Sequence, residues 1–167
     1  MPILSADTLE IISRDADQTR RVGGRLGALL LPGDVLYLHG DLGAGKTTFV
    51  QGLAHGWGSL DPVTSPTFIL VNVYRHAQQA GSLLHHVDAY RLRNAADAQD
   101  LDLDLMLTRG PVVVEWAERV RPALPPPVLE ITLNWVGDLQ RDLLIFPHGG
   151  RGLALTSALR RAIFGVD

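Results

Sequence analysis

Gly40-Asp41-Leu42-Gly43-Ala44-Gly45-Lys46-Thr47 has the spacing of a phosphate-binding loop, and Lys46 is the only lysine among 15 basic residues. Every other basic position is arginine, so the exception falls where a loop needs a slim point charge. An ammonium on a flexible stem reaches over the loop to the β- and γ-phosphates, whereas a guanidinium is wider and set in a planar fork. The glycines let backbone N–H groups turn inward as an anion nest, Thr47 brings a hydroxyl to Mg²⁺, and Thr48 continues the binding segment. Holding a nucleotide is not yet hydrolysing it, which also needs metal ligation and a positioned water. Two apolar runs end in an acid: Leu83-Leu84-His85-His86-Val87 in Asp88, and Pro111-Val112-Val113-Val114 in Glu115. Asp88 fits a metal ligand alongside Thr47, directly or through a water. Glu115 fits a group that orients or deprotonates the attacking water, with Mg²⁺ contact available to it. Thr64, Ser65 and Thr67 put three hydroxyls on a loop stiffened by Pro66, which reads as a γ-phosphate sensor or as a plain turn.

These residues need a scaffold that gathers strand ends. Val35–His39 is a buried strand before the loop, and a helix from about Thr47 should end near Gly56 or Gly58. Open α/β sheets place ligands at the carboxyl ends of their strands, which is where Asp88 and Glu115 fall. Thr8–Ser13 reads as a short strand, and Asp15 caps a helix whose apolar positions are Val22, Leu26, Leu29 and Leu30. Strands are expected over Thr67–Tyr74, Ser82–Val87 and Pro111–Glu115. Pro122–Pro127 is a stiff connector, Val128–Val136 and Leu139–Pro147 form a hairpin through Gly137-Asp138, and Leu153–Phe164 is a closing amphipathic helix. Between Asn94 and Thr108, helical spacing competes with a period-two run of Asp and Leu; a helix is favoured because a crossover must precede the next buried strand. Asp100, Asp102 and Asp104 are not a calcium loop, since Leu105 and Pro111 stand where glycine and glutamate are required. Trp57 and Trp135 are expected in the core, and Trp116 either stacks on a base or partner or packs. His85 and His86 face opposite sides of their strand and read as structural.

At 167 residues the chain fits one domain. The absence of cysteine suits a reducing cytosol, the opening residues carry no signal-peptide pattern, and no apolar run approaches a bilayer span. A net charge of −3 excludes a generic nucleic-acid binder, so any nucleic-acid role would pass through a partner. An ordinary GTPase is disfavoured because its base-reading Asn-Lys-x-Asp motif needs a second lysine.

Four blocks carry a family resemblance: Gly40 to Phe49, Val63-Thr64-Ser65-Pro66-Thr67-Phe68, His86-Val87-Asp88-Ala89-Tyr90-Arg91-Leu92, and Val114-Glu115-Trp116-Ala117-Glu118. In order and spacing they resemble the TsaE (YjeE) family, bacterial ATPases required for threonylcarbamoyladenosine modification of tRNA. The resemblance implies that Lys46 and Thr47 bind phosphate and Mg²⁺, that Asp88 and Glu115 complete the metal and catalytic site, and that Thr64–Thr67 is a switch. It also implies partners, the transferase TsaD and its companion TsaB. One stretch departs: after Leu92 the family has an acidic Pro-Glu-Glu-Leu segment, where this chain reads Asn94-Ala95-Ala96-Asp97-Ala98-Gln99-Asp100, so roles of those glutamates do not carry over. The resulting expectation is a cytoplasmic, three-layer α/β P-loop NTPase-like domain spanning residues 1–167. Its sheet is mainly parallel with antiparallel strands at the margins, and it binds ATP and Mg²⁺ and hydrolyses ATP weakly alone. The rivals are a small-molecule kinase using Arg91, Arg93, Arg119 or Arg121, and a nucleotide-gated interaction module with negligible turnover.

Overall fold

The computed structural model describes residues 6–64 and 71–165, and its strands form one sheet. They are β1 (Leu9–Ser13), β2 (Val35–His39), β3 (Val71–Arg75), β4 (Leu83–Asp88), β5 (Val112–Glu115), β6 (Leu129–Trp135) and β7 (Arg141–Pro147). Their spatial order is β1-β7-β6-β2-β5-β4-β3. The central four, β6, β2, β5 and β4, are parallel, while β7 on one margin and β3 on the other run antiparallel to them and β1 pairs antiparallel with β7 at the edge. The sheet is therefore mainly parallel with antiparallel margins, as expected. Burial of β2 and β5 on both faces explains why their sequences are unbroken apolar runs.

Helices cover both faces. Helices α1 (Ala16–Gly27), α2 (Lys46–Trp57) and α5 (Gly149–Phe164) bury Val22, Leu26, Phe49, Leu53, Leu155 and Leu159 against Leu36, Leu38, Val113 and Ile131. On the opposite face, α3 (Ala95–Gln99) and α4 (Leu103–Arg109) contribute Ala98 and Leu103 to a second core with Val35, Tyr37, Val112 and Val114. Helix α2, which carries Lys46, is fixed by an unusually close crossing with α1. A Cβ on Gly56 would stand 2.0 Å from the Gly24 carbonyl oxygen, and one on Gly27 2.1 Å from that of Leu53. Only glycines let the two backbones meet this way.

The favoured single helix over 94–108 is two helices broken at Asp102. That residue takes the left-handed conformation (φ 54°) and its carboxylate accepts from the Leu105 N–H at 3.3 Å, so it caps α4 instead of continuing α3. Trp135 is not a core residue. It continues the alternation of Leu129, Ile131 and Leu133, but it lies past the last of them at the hairpin end and is 61% exposed. Trp57 packs half-buried at the core margin, edge-on to His76 at 5.0 Å. Helix α5 begins at Gly149, four residues before the expected Leu153. Of the expected strand Thr67–Tyr74, the part up to residue 70 lies outside the described residues.

Candidate functional site

A cleft of about 670 Å³ opens at the carboxyl ends of β2, β4 and β5, lined by Leu42, Gly43, Gly45, Lys46, Thr47, Thr48, Asp88, Tyr90, Arg91, Glu115, Trp116 and Arg141. The chain leaves buried β2 at Gly40, where a Cβ would meet the Leu133 carbonyl oxygen at 2.8 Å. It turns through an Ala44 N–H to Asp41 carbonyl bond of 3.0 Å, with Gly43 and Gly45 at φ 80° and 99°. Helix α2 starts with no side-chain cap, so its first N–H groups remain available to an anion, and the helix dipole favours negative charge there. Gly40, Asp41 and Ala44 shape the loop without lining the cleft.

Lys46 is only 8% exposed. Its ammonium donates to the Gly40 carbonyl, stands 4.4 Å from the Trp116 ring centroid, and lies 3.8 Å from Glu115 Oε1. Trp116 reaches this place because it adopts a left-handed backbone (φ 59°) directly after β5, which folds the indole back over the loop, edge-on to Tyr90. A bulky residue in that region is uncommon and costs free energy that the surrounding contacts must offset.

Asp88 and Glu115 are register partners across β4 and β5, so their side chains leave the same face of the sheet, the face covered by α2. Asp88 Oδ1 accepts from the Tyr90 N–H at 2.9 Å, capping a one-turn 3-10 helix that brings Tyr90 and Arg91 to the cleft. Glu115 Oε2 is paired with His86 Nε2 at 2.7 Å, and His86 Nδ1 with the Tyr74 hydroxyl at 3.1 Å. Burial raises the Tyr74 phenol above its ordinary range. His85 points to the other face, where burial and then the Arg109 charge depress its ring.

The structure thus brings Lys46, Thr47, Thr48, Asp88 and Glu115 together in one cleft. Thr64 is exposed and does not line the cleft, although its carbonyl accepts from Asn72 Nδ2 at 3.1 Å. Ser65 and Thr67, like the side chain of Arg119, lie outside the described residues. Of the arginines considered for a transferred phosphate, Arg91 lines the cleft, whereas Arg121 is paired in bidentate fashion with Glu130 at 2.7 and 2.9 Å. Sequence reasoning missed His86 and Arg141. The first was findable: a His-x-Asp spacing on a strand puts both side chains on one face. The second was not, because Arg141 donates to the Gly43 carbonyl at 3.2 Å from 98 positions away.

The available donors suit a hard cation. Thr47, Asp88 and Glu115 offer only oxygen, and no cluster of three or more His, Cys, Asp or Glu able to hold a metal occurs among the described residues. That combination fits Mg²⁺, which binds through one or two carboxylates plus substrate phosphates instead of a full protein cage.

A second, half-buried acid stands on the other side of β2. Glu130 is Tyr37's register partner on β6 and receives Arg121, His39 Nε2 at 3.0 Å and His148 Nε2 at 2.7 Å. The Arg121 hydrogen bonds, reinforced by the two histidines, hold its carboxyl at about 2 despite burial.

The family model described as "Threonylcarbamoyl adenosine biosynthesis protein TsaE" matches residues 13–143. Treponema pallidum "tRNA threonylcarbamoyladenosine biosynthesis protein TsaE" is 40% identical over 138 residues, covering 82% of this chain and 99% of that protein. The Bacillus subtilis protein of the same name is 37% identical over 146 residues, covering 87% and 89%. Among solved structures, Bacillus subtilis YdiB superposes with a TM-score of 0.75 at 33% identity, covering 93% of this chain and 95% of the other.

Proposed function

The chain belongs to the TsaE family of tRNA threonylcarbamoyladenosine biosynthesis proteins, and from that premise we propose that it is a single-domain P-loop ATPase whose hydrolysis of ATP–Mg²⁺ supports threonylcarbamoylation of tRNA by a partner transferase complex. The observation that carries this reading is the convergence of Lys46, Thr47, Asp88 and Glu115 on one cleft. Inward N–H groups of the glycine loop and the uncapped start of α2 hold the phosphates. Lys46 exchanges the Gly40 carbonyl for the β- and γ-phosphate oxygens. Mg²⁺, held by the Thr47 hydroxyl and the Asp88 carboxylate, would supply neutralising charge on those oxygens. Glu115 keeps Oε2 on His86 and turns Oε1 toward the cleft, where it orients or deprotonates the water attacking the γ-phosphorus. The bond to the β-phosphate oxygen then breaks and ADP leaves with phosphate. Trp116, lying over Lys46, limits entry of bulk water from that side.

In this reading the Thr64–Thr67 loop senses the γ-phosphate, and TsaD- and TsaB-type subunits read the state of that loop. The Asn72 bond to the Thr64 carbonyl supports it by tying Thr64 to β3, the strand that also carries Tyr74. Turnover is weak without the partners, which complete the charge clamp. The protein works in the cytoplasm beside tRNA, which it meets through those partners; no helix among the described residues is long and apolar enough to cross a membrane.

The test is phosphate release, burst and steady state, with and without purified transferase complex. Lys46→Ala should abolish turnover and weaken ATP binding by about 1.5–3 kcal/mol, the worth of a charge-assisted contact. Lys46→Arg should also fail, and near-normal turnover by it would overturn the reading. Phosphate appearing on an added metabolite instead of in water would mark a kinase.

A further inference from the structure

We propose that His86, its ring held between the Tyr74 hydroxyl and Glu115, is the positioning residue of the Glu115 carboxylate and fixes its orientation so that one oxygen faces the cleft; this rests on the role of Glu115 given above. A carboxylate at a strand end can rotate about its last bond and present either oxygen. Here one rotamer is selected, because Oε2 is held at 2.7 Å by a ring that is 0% exposed and cannot swing away. An ionised carboxylate only accepts, so His86 Nε2 must carry the proton. In a neutral imidazole the other nitrogen is then an acceptor, and the Tyr74 hydroxyl at 3.1 Å is the donor it faces. The three side chains lie diagonally across β3, β4 and β5 on the α2 face, His86 being level with Asn72 and Val113 in the sheet register. The arrangement does for a catalytic carboxylate what outer-sphere carboxylates do for metal-bound histidines: it fixes tautomer and aim.

The hold also keeps two charges apart. Lys46 stands 3.8 Å from Glu115 Oε1, within reach of a closer pair. A carboxylate released from His86 would follow the ammonium, withdrawing both the water-directing oxygen and the cation that the γ-phosphate needs in the transition state. Removing His86 should therefore damage turnover far more than ground-state nucleotide binding, where backbone N–H groups carry much of the load.

Single-turnover hydrolysis and nucleotide affinity should be measured on His86→Ala, His86→Asn, His86→Gln and Tyr74→Phe. His86→Ala should lower the hydrolysis rate about ten- to a hundredfold, the usual cost of losing an outer-sphere partner, with the ATP dissociation constant changed much less. The glutamine variant places an amide N–H₂ near the Nε2 position and should recover most of the rate, whereas the asparagine variant, whose amide reaches only the Nδ1 position, should not. Nitrogen-resolved NMR of the wild-type imidazoles should show the His86 proton on Nε2, and Tyr74→Phe, which leaves Nδ1 without its donor and the ring less firmly held, should slow hydrolysis. A proton on Nδ1, equal rates for the glutamine and asparagine variants, or parallel losses of rate and affinity would overturn the proposal. If the alanine variant does not fold, Tyr74→Phe decides, since it removes one hydroxyl and no volume from the core. Glu115→Gln run alongside separates two failures. Full turnover by that variant sinks the role of Glu115 itself, while its inactivity beside unaffected His86 and Tyr74 variants sinks only the positioning role.

Discussion

Glu115 and Glu130 stand on the two strands that flank β2, one on each face of the sheet, and both are largely buried. Their surroundings differ in completeness. Glu130 is saturated: Arg121 takes both of its oxygens, and His39 and His148 each add a further bond. Glu115 has one oxygen held by His86 and the other beside a lysine still at 3.8 Å. A saturated carboxylate cannot take part in chemistry without first breaking bonds, so Glu130 ties β2 and β6 to the 3-10 turn that contains Arg121. A carboxylate left one partner short next to a phosphate loop is poised for a ligand. Buried charge by itself therefore does not mark a site; an unfinished set of partners does.

The largest expected effect separates the two acids by activity. Glu115→Gln should cut turnover by about 10²–10⁴-fold, the range for loss of a general base, while retaining much of the ATP affinity and nearly all thermal stability. Steady-state phosphate release and calorimetric nucleotide binding check it. Asp88→Asn should instead raise the Mg²⁺ needed for half-maximal turnover about tenfold, as expected when a charge-assisted contact is lost. Equal loss of nucleotide binding in both variants would show that the two acids do not divide metal and water work.

Glu130→Gln is the mirror experiment. It should leave phosphate release near wild type and lower unfolding free energy by about 2 kcal/mol, read from urea titration. The same contrast has a pH signature. The folded carboxyl lies at about 2, below its ordinary 4.5, so its stabilisation is complete above about 4.5 and is lost as pH falls from there through about 2. The wild-type protein should show that acid loss, and Glu130→Gln should lack most of it. The smallest effect belongs to His148→Ala, which removes a half-exposed member of the cluster and should cost under about 1 kcal/mol. A loss as large as that of Glu130→Gln would mean that the histidine, not Arg121, closes the network.

The residues that line the cleft were legible because their pattern is written locally. A phosphate loop needs its glycines, lysine and threonine in consecutive positions, and burial of parallel strands on both faces forces apolar runs whose terminating acids stand out at Asp88 and Glu115. Strands β2, β4 and β5, the helix after the loop and the hairpin of β6 and β7 follow from the same local rules. Other features were fixed by contacts between distant residues. Trp135 sits past the end of the core that its alternation points to. Arg141 supports Gly43 across 98 positions, and Gly24 and Gly27 admit α2 only because the two helices happen to cross there. Glu115 and Glu130 show the limit most sharply. Each follows an apolar residue on a buried strand, and nothing local says that one will be surrounded by Arg121, His39 and His148 while the other keeps an oxygen for the cleft. The sequence by itself determined that this chain has a glycine-rich loop carrying its one lysine and two strand-end acids on a mainly parallel sheet. Only the tertiary structure decided which buried carboxylate is left incompletely paired, because hydrogen-bond saturation is set by neighbours that the fold, and not the chain order, brings together.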